Sequence, residues 1–462
     1  MAELSIDFIS RTKKLLFKDW DLFADALKSE SPVSIRLNPA KADVKKVASF
    51  SSVLWNSDGM YLEKRPRFTF DPLFHSGAYY VQEASSMFIG HVLKQYMDGD
   101  LKVLDLCAAP GGKSTLLASL MNRNSLLVSN EVIRSRANIL AENMIKWGYP
   151  NNIVTNNDPA QIGKLHNYFD VILVDAPCSG EGMFRKDEGA INEWSVENVK
   201  LCKERQQRIL ADIWPALKTS GILVYSTCTY NLEENEENVG WIRDELGAEV
   251  LPVEIEKGWR ISPSFVKEVP AYRFFPYKTK GEGFFCALLR KTEEADDWTD
   301  LPKKPKDKGK KMKESLPVEY KNFLLNDKEF SFYTSKERWY AFPASMYDDL
   351  STLRKSLNVM SEGICLGEFK GKDFVPDQSL AMSIYLNKEN FIIHDIDWRT
   401  AINYLRKEPL ALPDQPKGFV LLTYKNMPLG FVKNIGNRAN NLYPQEWRIR
   451  SSNIPDEPTD VY

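Results

Sequence analysis

The stretch VLDLCAAPGGKSTLL, residues 103–117, runs from an apolar segment into a glycine-rich turn and on into a helical segment. It closes on Gly112-Lys113-Ser114, the ending of a phosphate-binding loop. Such a loop, G-x-x-x-x-G-K-[ST], needs a glycine where this chain has Cys107. Ala108, Ala109 and Pro110 also restrict the backbone just where amides would have to wrap around phosphate. The pattern therefore reads against a Walker-type nucleotide site. What remains is a strand ending at Asp105 and Leu106, a turn on Pro110, Gly111 and Gly112, and a helix. The paired glycines let the backbone approach a ligand closely.

Outward from this loop, apolar runs alternate with longer helical patterns. Strands are expected at 101–106, 125–130, 152–155, 169–175 and 221–227, with helices at 114–122, 132–146 and 197–217. This alternation predicts an α/β domain, a parallel sheet covered by helices on both faces. A helix near 233–246 and strands at 249–253 and 284–290 would close the sheet. Glu131 follows Gly112 by 19 positions, at the end of the second strand, where doubly wound folds bind ribose hydroxyls. Asp158 follows the third strand and Asp175 ends the fourth. One such acid alone more often caps a helix. Three of them around one loop suit a ligand with ribose hydroxyls and a cationic amine, and S-adenosylmethionine has both, plus a sulfonium.

Two cysteines add chemistry. VDAPCSGEGMFRKD (174–187) places Cys178 just after the fourth strand, and VYSTCTYNLEENEENV (224–239) places Cys228 after the fifth. A lone cysteine is usually an inert small hydrophobe, but two at neighbouring strand ends suit methylation of a pyrimidine at carbon 5. A thiolate adding to carbon 6 makes carbon 5 nucleophilic, and a base later removes the carbon 5 proton so that the thiolate can leave. The thiol must ionise from about 8.5, which a cation or a helix N-terminus assists. Lys113 and the helix after Cys228 are candidates for that help, and Asp175 for a hydrogen bond to the base.

DLCAAPGGKS, DAPCSGEG and STCTY, with YYVQEASSM (79–87) and GEGFF (281–285), resemble the Nol/Nop/Sun (NSUN-type) RNA cytosine-5 methyltransferases over about residues 30–291. GFVKNIGNRANNLYPQEWRI (430–449) resembles the PUA-like module of the bacterial RsmF-type subgroup, which acts on small-subunit ribosomal RNA. The resemblance implies a Rossmann-like class I methyltransferase sheet with an N-terminal α/β extension and a C-terminal β-rich PUA-like module. It implies S-adenosylmethionine held by Cys107, Ala108, Ala109, Pro110, Gly111, Gly112, Lys113, Glu131, Asp158 and Asp175. Cys228 would be the nucleophile, Cys178 the group assisting product release, and Asp175 and Lys113 their neighbours in catalysis. Tyr277 stands where RsmF-type relatives are expected to carry histidine. Arg36 and Asn38, in RLNP, match a motif near the RNA path.

The remaining features bound the rest. The 462 residues, 43% hydrophobic, suffice for several cores. The domains are expected at 1–75 (N-terminal RNA-binding extension), 76–291 (catalytic), 292–315 (charged linker), 316–389 (intermediate) and 390–462 (PUA-like). Six cysteines without C-x-x-C spacing and four dispersed histidines predict no metal. No apolar run approaches a membrane span or a signal peptide, so a cytoplasmic protein is expected. A net charge of −2 leaves nucleic-acid affinity to local patches. Lys433, Arg438, Arg448 and Arg450 with Tyr443 and Trp447 combine cations with aromatic faces for splayed bases. The lysine run Lys303, Lys304, Lys306, Lys308, Lys310, Lys311 and Lys313 could add salt-sensitive phosphate affinity, but reads better as a solvated tether alone.

A DNA cytosine methyltransferase would use the Pro-Cys cysteine as its nucleophile, and Glu237-Asn238-Val239 matches that class. The second cysteine and the cofactor loop favour RNA. A binding-only assembly factor has no use for two thiols. Ribosomal RNA or the 30S subunit is the expected partner, with transfer RNA as the alternative substrate and a monomer as the expected state.

Overall fold

The computed structural model describes residues 3–42, 50–292, 315–459 and 461; the lysine run and nearly all of the expected linker lie outside them. Two amphipathic helices, Ile6–Leu16 and Trp20–Lys28, precede β1 (Val33–Leu37), β2 (Ser51–Val53), β3 (Asn56–Leu62) and β4 (Tyr79–Val81). These strands form an antiparallel sheet in the order β2-β3-β1-β4. The boundary expected at 75/76 therefore cuts this sheet, because β4 lies beyond it.

The region expected to be catalytic forms β5 (Lys102–Asp105), β6 (Leu126–Asn130), β7 (Asn152–Thr155), β8 (Phe169–Asp175) and β9 (Leu217–Thr227). They pair in parallel in the order β7-β6-β5-β8-β9. Helices Gly112–Leu120, Arg134–Trp147, Val196–Ile213 and Glu236–Glu245 join or follow them. Then come β10 (Ala248–Leu251), β11 (Ser262–Pro263), β12 (Tyr272–Phe274) and β13 (Phe284–Lys291). β13 runs antiparallel to β9 and carries β12 on its first half and β10 on its second. Apolar residues fill both faces, with Val103 and Leu117 in one cluster and Leu104 and Leu210 in the other. The helix expected over 197–217 stops at Ile213, because the turn at Pro215 leads directly into the longer β9.

Downstream lie β14 (Phe330–Ser335), β15 (Arg338–Pro343), β16 (Val359–Glu362), β17 (Ile364–Lys370) and β18 (Asp373–Pro376). Four of these make the sheet β14-β15-β17-β18. β16 leaves it and pairs antiparallel with β7, setting Glu362 opposite Ile153. The intermediate region thus completes the catalytic sheet. The last sheet is β19 (Ile392–Asp395), β20 (Gly418–Tyr424), β21 (Met427–Asn434) and β22 (Ala439–Asn441). Its core is continuous with that of the N-terminal sheet: Ile35, Leu37 and Phe70 share one cluster with Trp398, Tyr404 and Tyr443. The Trp398 indole N–H donates to the Phe70 carbonyl at 2.9 Å. No described helix is long and apolar enough to cross a membrane.

Candidate active site

β5 ends at the topological switch point, flanked by β6 and β8, where open α/β sheets bind ligands. Its loop is fixed from several sides. Ala108 N–H donates to the Asn130 carbonyl (2.8 Å), Arg136 donates to the Ala109 carbonyl (3.0 Å) and Asn143 to the Pro110 carbonyl (2.7 Å). Gly111, at φ +117°, then turns the chain into the helix that starts at Gly112.

Three acids converge on this loop. Burial pushes the Cys107 thiol up, and Asp105, Asp175 and Glu131 add their charges to that effect, which favours the neutral thiol there. Glu131 is buried, accepting from Ile133 N–H (2.9 Å) and pairing with Arg136 (3.3 Å). Asp105, missed in the sequence reading, is fully buried. Its Oδ2 accepts from Ser114 (2.7 Å), while Oδ1 has no partner. Burial raises its pKa to about 7. A bare carboxylate oxygen out of water is costly, and this one fits the cationic, hydroxyl-rich cofactor expected for the pocket. Asp158 stands apart from these three: it is exposed and caps the helix Pro159–Ile162 through Ala160 N–H (3.0 Å).

The residues expected to be catalytic meet at the ends of β8 and β9. Asp175 accepts from Lys113 Nζ (2.6 Å) and from the Ser226 hydroxyl (2.8 Å). Burial alone would lower the Lys113 pKa. The Asp175 charge and hydrogen bond, with Asp105 and Cys228, reverse this and raise it, so Lys113 is a fixed cation beside Cys228. The Cys178 and Cys228 sulfurs lie 3.2 Å apart. The hydrogen bond to Cys228, then burial, hold the Cys178 thiol well above its usual range.

A reciprocal clamp holds the two cysteine loops, and the sequence reading missed it. Glu181, from the Cys178 loop, accepts from Tyr230 and Asn231 N–H (2.8 and 2.9 Å) on the Cys228 loop. Glu234, from the Cys228 loop, accepts from Ser179 N–H (3.0 Å), Asn231 (2.8 Å) and Gln206 (2.8 Å). Gly182 N–H donates to the Cys228 carbonyl (2.8 Å). A Cβ there would lie 2.6 Å from the Gly283 carbonyl oxygen, so only glycine permits this approach. The available signal was an acid a few residues after each cysteine.

Several expected RNA contacts are internal. Arg36 is fully buried, donating to Gln82 (2.8 Å) and Thr115 (2.6 Å) and lying over Trp147, so it braces the cofactor-loop helix from β1. Asn38 is buried against the Gly77 and Trp147 carbonyls. Tyr443 is buried against Tyr404 in the core shared by the two ends of the chain. None of the three can meet a base or a phosphate. Trp447 is half-buried beneath Lys146, and Lys433 is paired with Asp373. Arg438, Arg448 and Arg450 are exposed. Tyr277 donates to Asp19 (3.0 Å) and packs on Phe23, a bracing role against the N-terminal helices. Among the described residues no group of three or more His, Cys, Asp or Glu side chains could hold a metal ion.

The sheet order, the acid-lined loop and the paired thiols define an S-adenosylmethionine-dependent methyltransferase of the Rossmann-like class. Comparison with known proteins agrees. The family described as 16S rRNA methyltransferase RsmB/F matches residues 92–290, the N-terminal domain of 16S rRNA methyltransferase RsmF matches 4–84, and the methyltransferase RsmF PUA domain matches 391–449. Ribosomal RNA small subunit methyltransferase F of Shewanella woodyi is 30% identical, covering 96% of this chain and 97% of its own; that of Serratia proteamaculans is 30% identical, covering 95% of each. A methyltransferase homologue from Pyrococcus horikoshii superposes with TM-score 0.54 at 31% identity, over 62% of this chain and 95% of its own. The fold also matches NSun6 from P. horikoshii, solved with SFG, at TM-score 0.54 and 20% identity, over 63% and 99%. The chain belongs to the RsmB/F family of 16S rRNA methyltransferases.

Proposed function

We propose that this chain methylates carbon 5 of a cytosine in 16S ribosomal RNA, as free RNA or within the 30S subunit, acting as a cytoplasmic monomer. The observation that carries this is the 3.2 Å approach of Cys178 and Cys228 beside the Lys113–Asp175 pair. S-adenosylmethionine supplies the electrophilic methyl group. The loop Cys107–Lys113, with Glu131, Asp105 and Asp175, holds it, and Asp158, just past the end of β7, is assigned to the same set. Arg438, Arg448 and Arg450 of the 390–462 module contact RNA.

The Cys228 thiolate, beside the Lys113–Asp175 pair, adds to carbon 6 and makes carbon 5 nucleophilic enough to take the methyl group. Asp175 accepts a hydrogen bond from the exocyclic amine of the base. While Cys228 is a thiolate, Cys178 keeps its proton. Once the Cys228 sulfur is bound to carbon and neutral, the largest hold on the Cys178 proton is removed while burial remains, and Cys178 passes that proton to water to act as the base. Its thiolate then takes the carbon 5 proton, the carbon 5–carbon 6 double bond reforms and Cys228 is expelled.

Wild type, Cys228→Ala and Cys178→Ala are incubated with 16S RNA or 30S subunits and radiolabelled S-adenosylmethionine, counted for transfer and run on denaturing gels. Cys228→Ala is expected to give neither transfer nor crosslink, and Cys178→Ala to accumulate a covalent protein–RNA band. Transfer by Cys228→Ala, with Cys178→Ala inactive and free of adduct, would reverse the two roles. Transfer by wild type to transfer RNA alone would move the substrate.

A further inference from the structure

The segments singled out for RNA contact are partly internal, which leaves open how the strand carrying the target base is held. One surface feature answers this. A solvent-open groove of about 1050 Å³ lies between the N-terminal sheet and the catalytic loops. Ser29–Val33 and Leu62–Arg65 line one side; Arg185, Lys186, Pro276 and Thr279–Gly281 line the other.

Its charge is predominantly positive. Lys64, Arg65, Lys186 and Lys280 are exposed, and Glu30 and Glu63 are the acids lining it. Among the described residues, no carboxylate pairs with Lys64, Arg65 or Lys280. Arg65 rests on Phe68, and Lys280 on Tyr61. Arg185 is committed to the wall, bonded to Glu282 (2.9 Å) and to the Gly281 carbonyl (2.8 Å).

The groove shares its loops with the reaction site. Arg185 and Lys186 belong to the loop that begins at Cys178. Gly281 precedes Gly283, whose carbonyl lies against Gly182, and Gly182 in turn bonds the Cys228 carbonyl. A chain occupying the groove therefore runs along the same loops that hold the two thiols.

The lining also indicates what part of the ligand is held. Tyr61 and Phe68 are buried beneath their cations, so neither offers a stacking face. Free cations without aromatic platforms suit phosphates rather than bases, and phosphate contacts position a strand without reading its sequence. Resting on the RNA methyltransferase reading, we infer that this groove holds the sugar–phosphate backbone of single-stranded RNA flanking the target cytosine, through Lys64, Arg65 and Lys280.

The test uses the full chain with Lys64, Arg65 and Lys280 all changed to alanine. A control carries Lys328→Ala and Lys372→Ala, exposed cations outside the groove. Binding of a fluorescent single-stranded oligoribonucleotide is followed by anisotropy across a salt series. Three lost phosphate contacts should flatten the log–log salt slope by about 2 and weaken binding at low salt by about tenfold or more. The loss should be the same for oligonucleotides of different sequence, with the control unchanged. In methyl-transfer assays the RNA KM should rise, with kcat and the KM for S-adenosylmethionine unchanged.

An unchanged salt slope in the triple variant overturns the proposal. So does a variant-sensitive affinity confined to an RNA duplex. Binding that depends on the groove while wild type transfers methyl to no RNA would sink the catalytic reading and leave the groove standing.

Discussion

Glu234 and Asp105 are both carboxylates held out of water among the loops at the carboxyl ends of the sheet. Glu234 accepts hydrogen bonds from Ser179, Asn231 and Gln206, and its charge is spent tying the two cysteine loops together. Asp105 accepts one, from Ser114, and its other oxygen faces no donor. Burial raises the pKa of both. A satisfied buried carboxylate is structural, and its loss removes a scaffold. A half-satisfied one destabilises the empty protein and is matched only when a ligand arrives.

Breaking the satisfied side has the largest expected effect. Glu234→Ala leaves several buried donors without an acceptor, at about 1–3 kcal/mol for each unsatisfied group, and should lower stability by several kcal/mol in denaturant unfolding. Glu234→Gln, which keeps the shape, should retain the fold and still lower kcat, with little change in the KM for S-adenosylmethionine. Equal loss in both kinetic constants would show that the clamp serves the cofactor as well.

The bare side should respond with the opposite sign. Asp105→Asn is expected to weaken S-adenosylmethionine binding about ten- to hundredfold by calorimetry, the worth of a hydrogen bond to a charged group. The same change should stabilise the cofactor-free protein at pH 8. Folded Asp105 holds its proton up to about pH 7, and the unfolded residue only to about 3.8. Across that window the folded state binds more protons, so this group's contribution to stability falls as pH rises and levels off above 7. Thermal melts from pH 4 to 8 should show that decline in wild type and a smaller one in Asp105→Asn. Parallel curves would mean that Asp105 does not titrate there.

The smallest effect is expected at Tyr443, whose buried hydroxyl has no partner. Tyr443→Phe should shift stability by no more than about 0.5 kcal/mol and leave RNA affinity unchanged. A loss of RNA binding would return this residue to the interface.

The central sheet was legible because strands buried on both faces are written as unbroken apolar runs, as in FDVILVD and GILVYST. The thiol pair and the cofactor loop were legible because each follows such a strand. Arg36, Asn38 and Tyr443 were misread for a different reason. Their burial comes from β1 packing onto the cofactor-loop helix and from the two ends of the chain sharing a core, and local pattern carries no trace of either. Glu181 and Glu234 were overlooked because each satisfies a partner loop distant in sequence.

The pairing of β16 with β7 also bears on when this enzyme becomes complete. A ribosome making the chain releases the thiols and the cofactor loop early, yet the catalytic sheet keeps an open edge at β7 until Glu362 has emerged. Bare strand edges invite pairing with other chains. The segment beyond the linker therefore acts as a selvedge: the nascent methyltransferase is finished along its border only once three-quarters or so of the polypeptide exists, and no shorter version ending at the linker inherits that border.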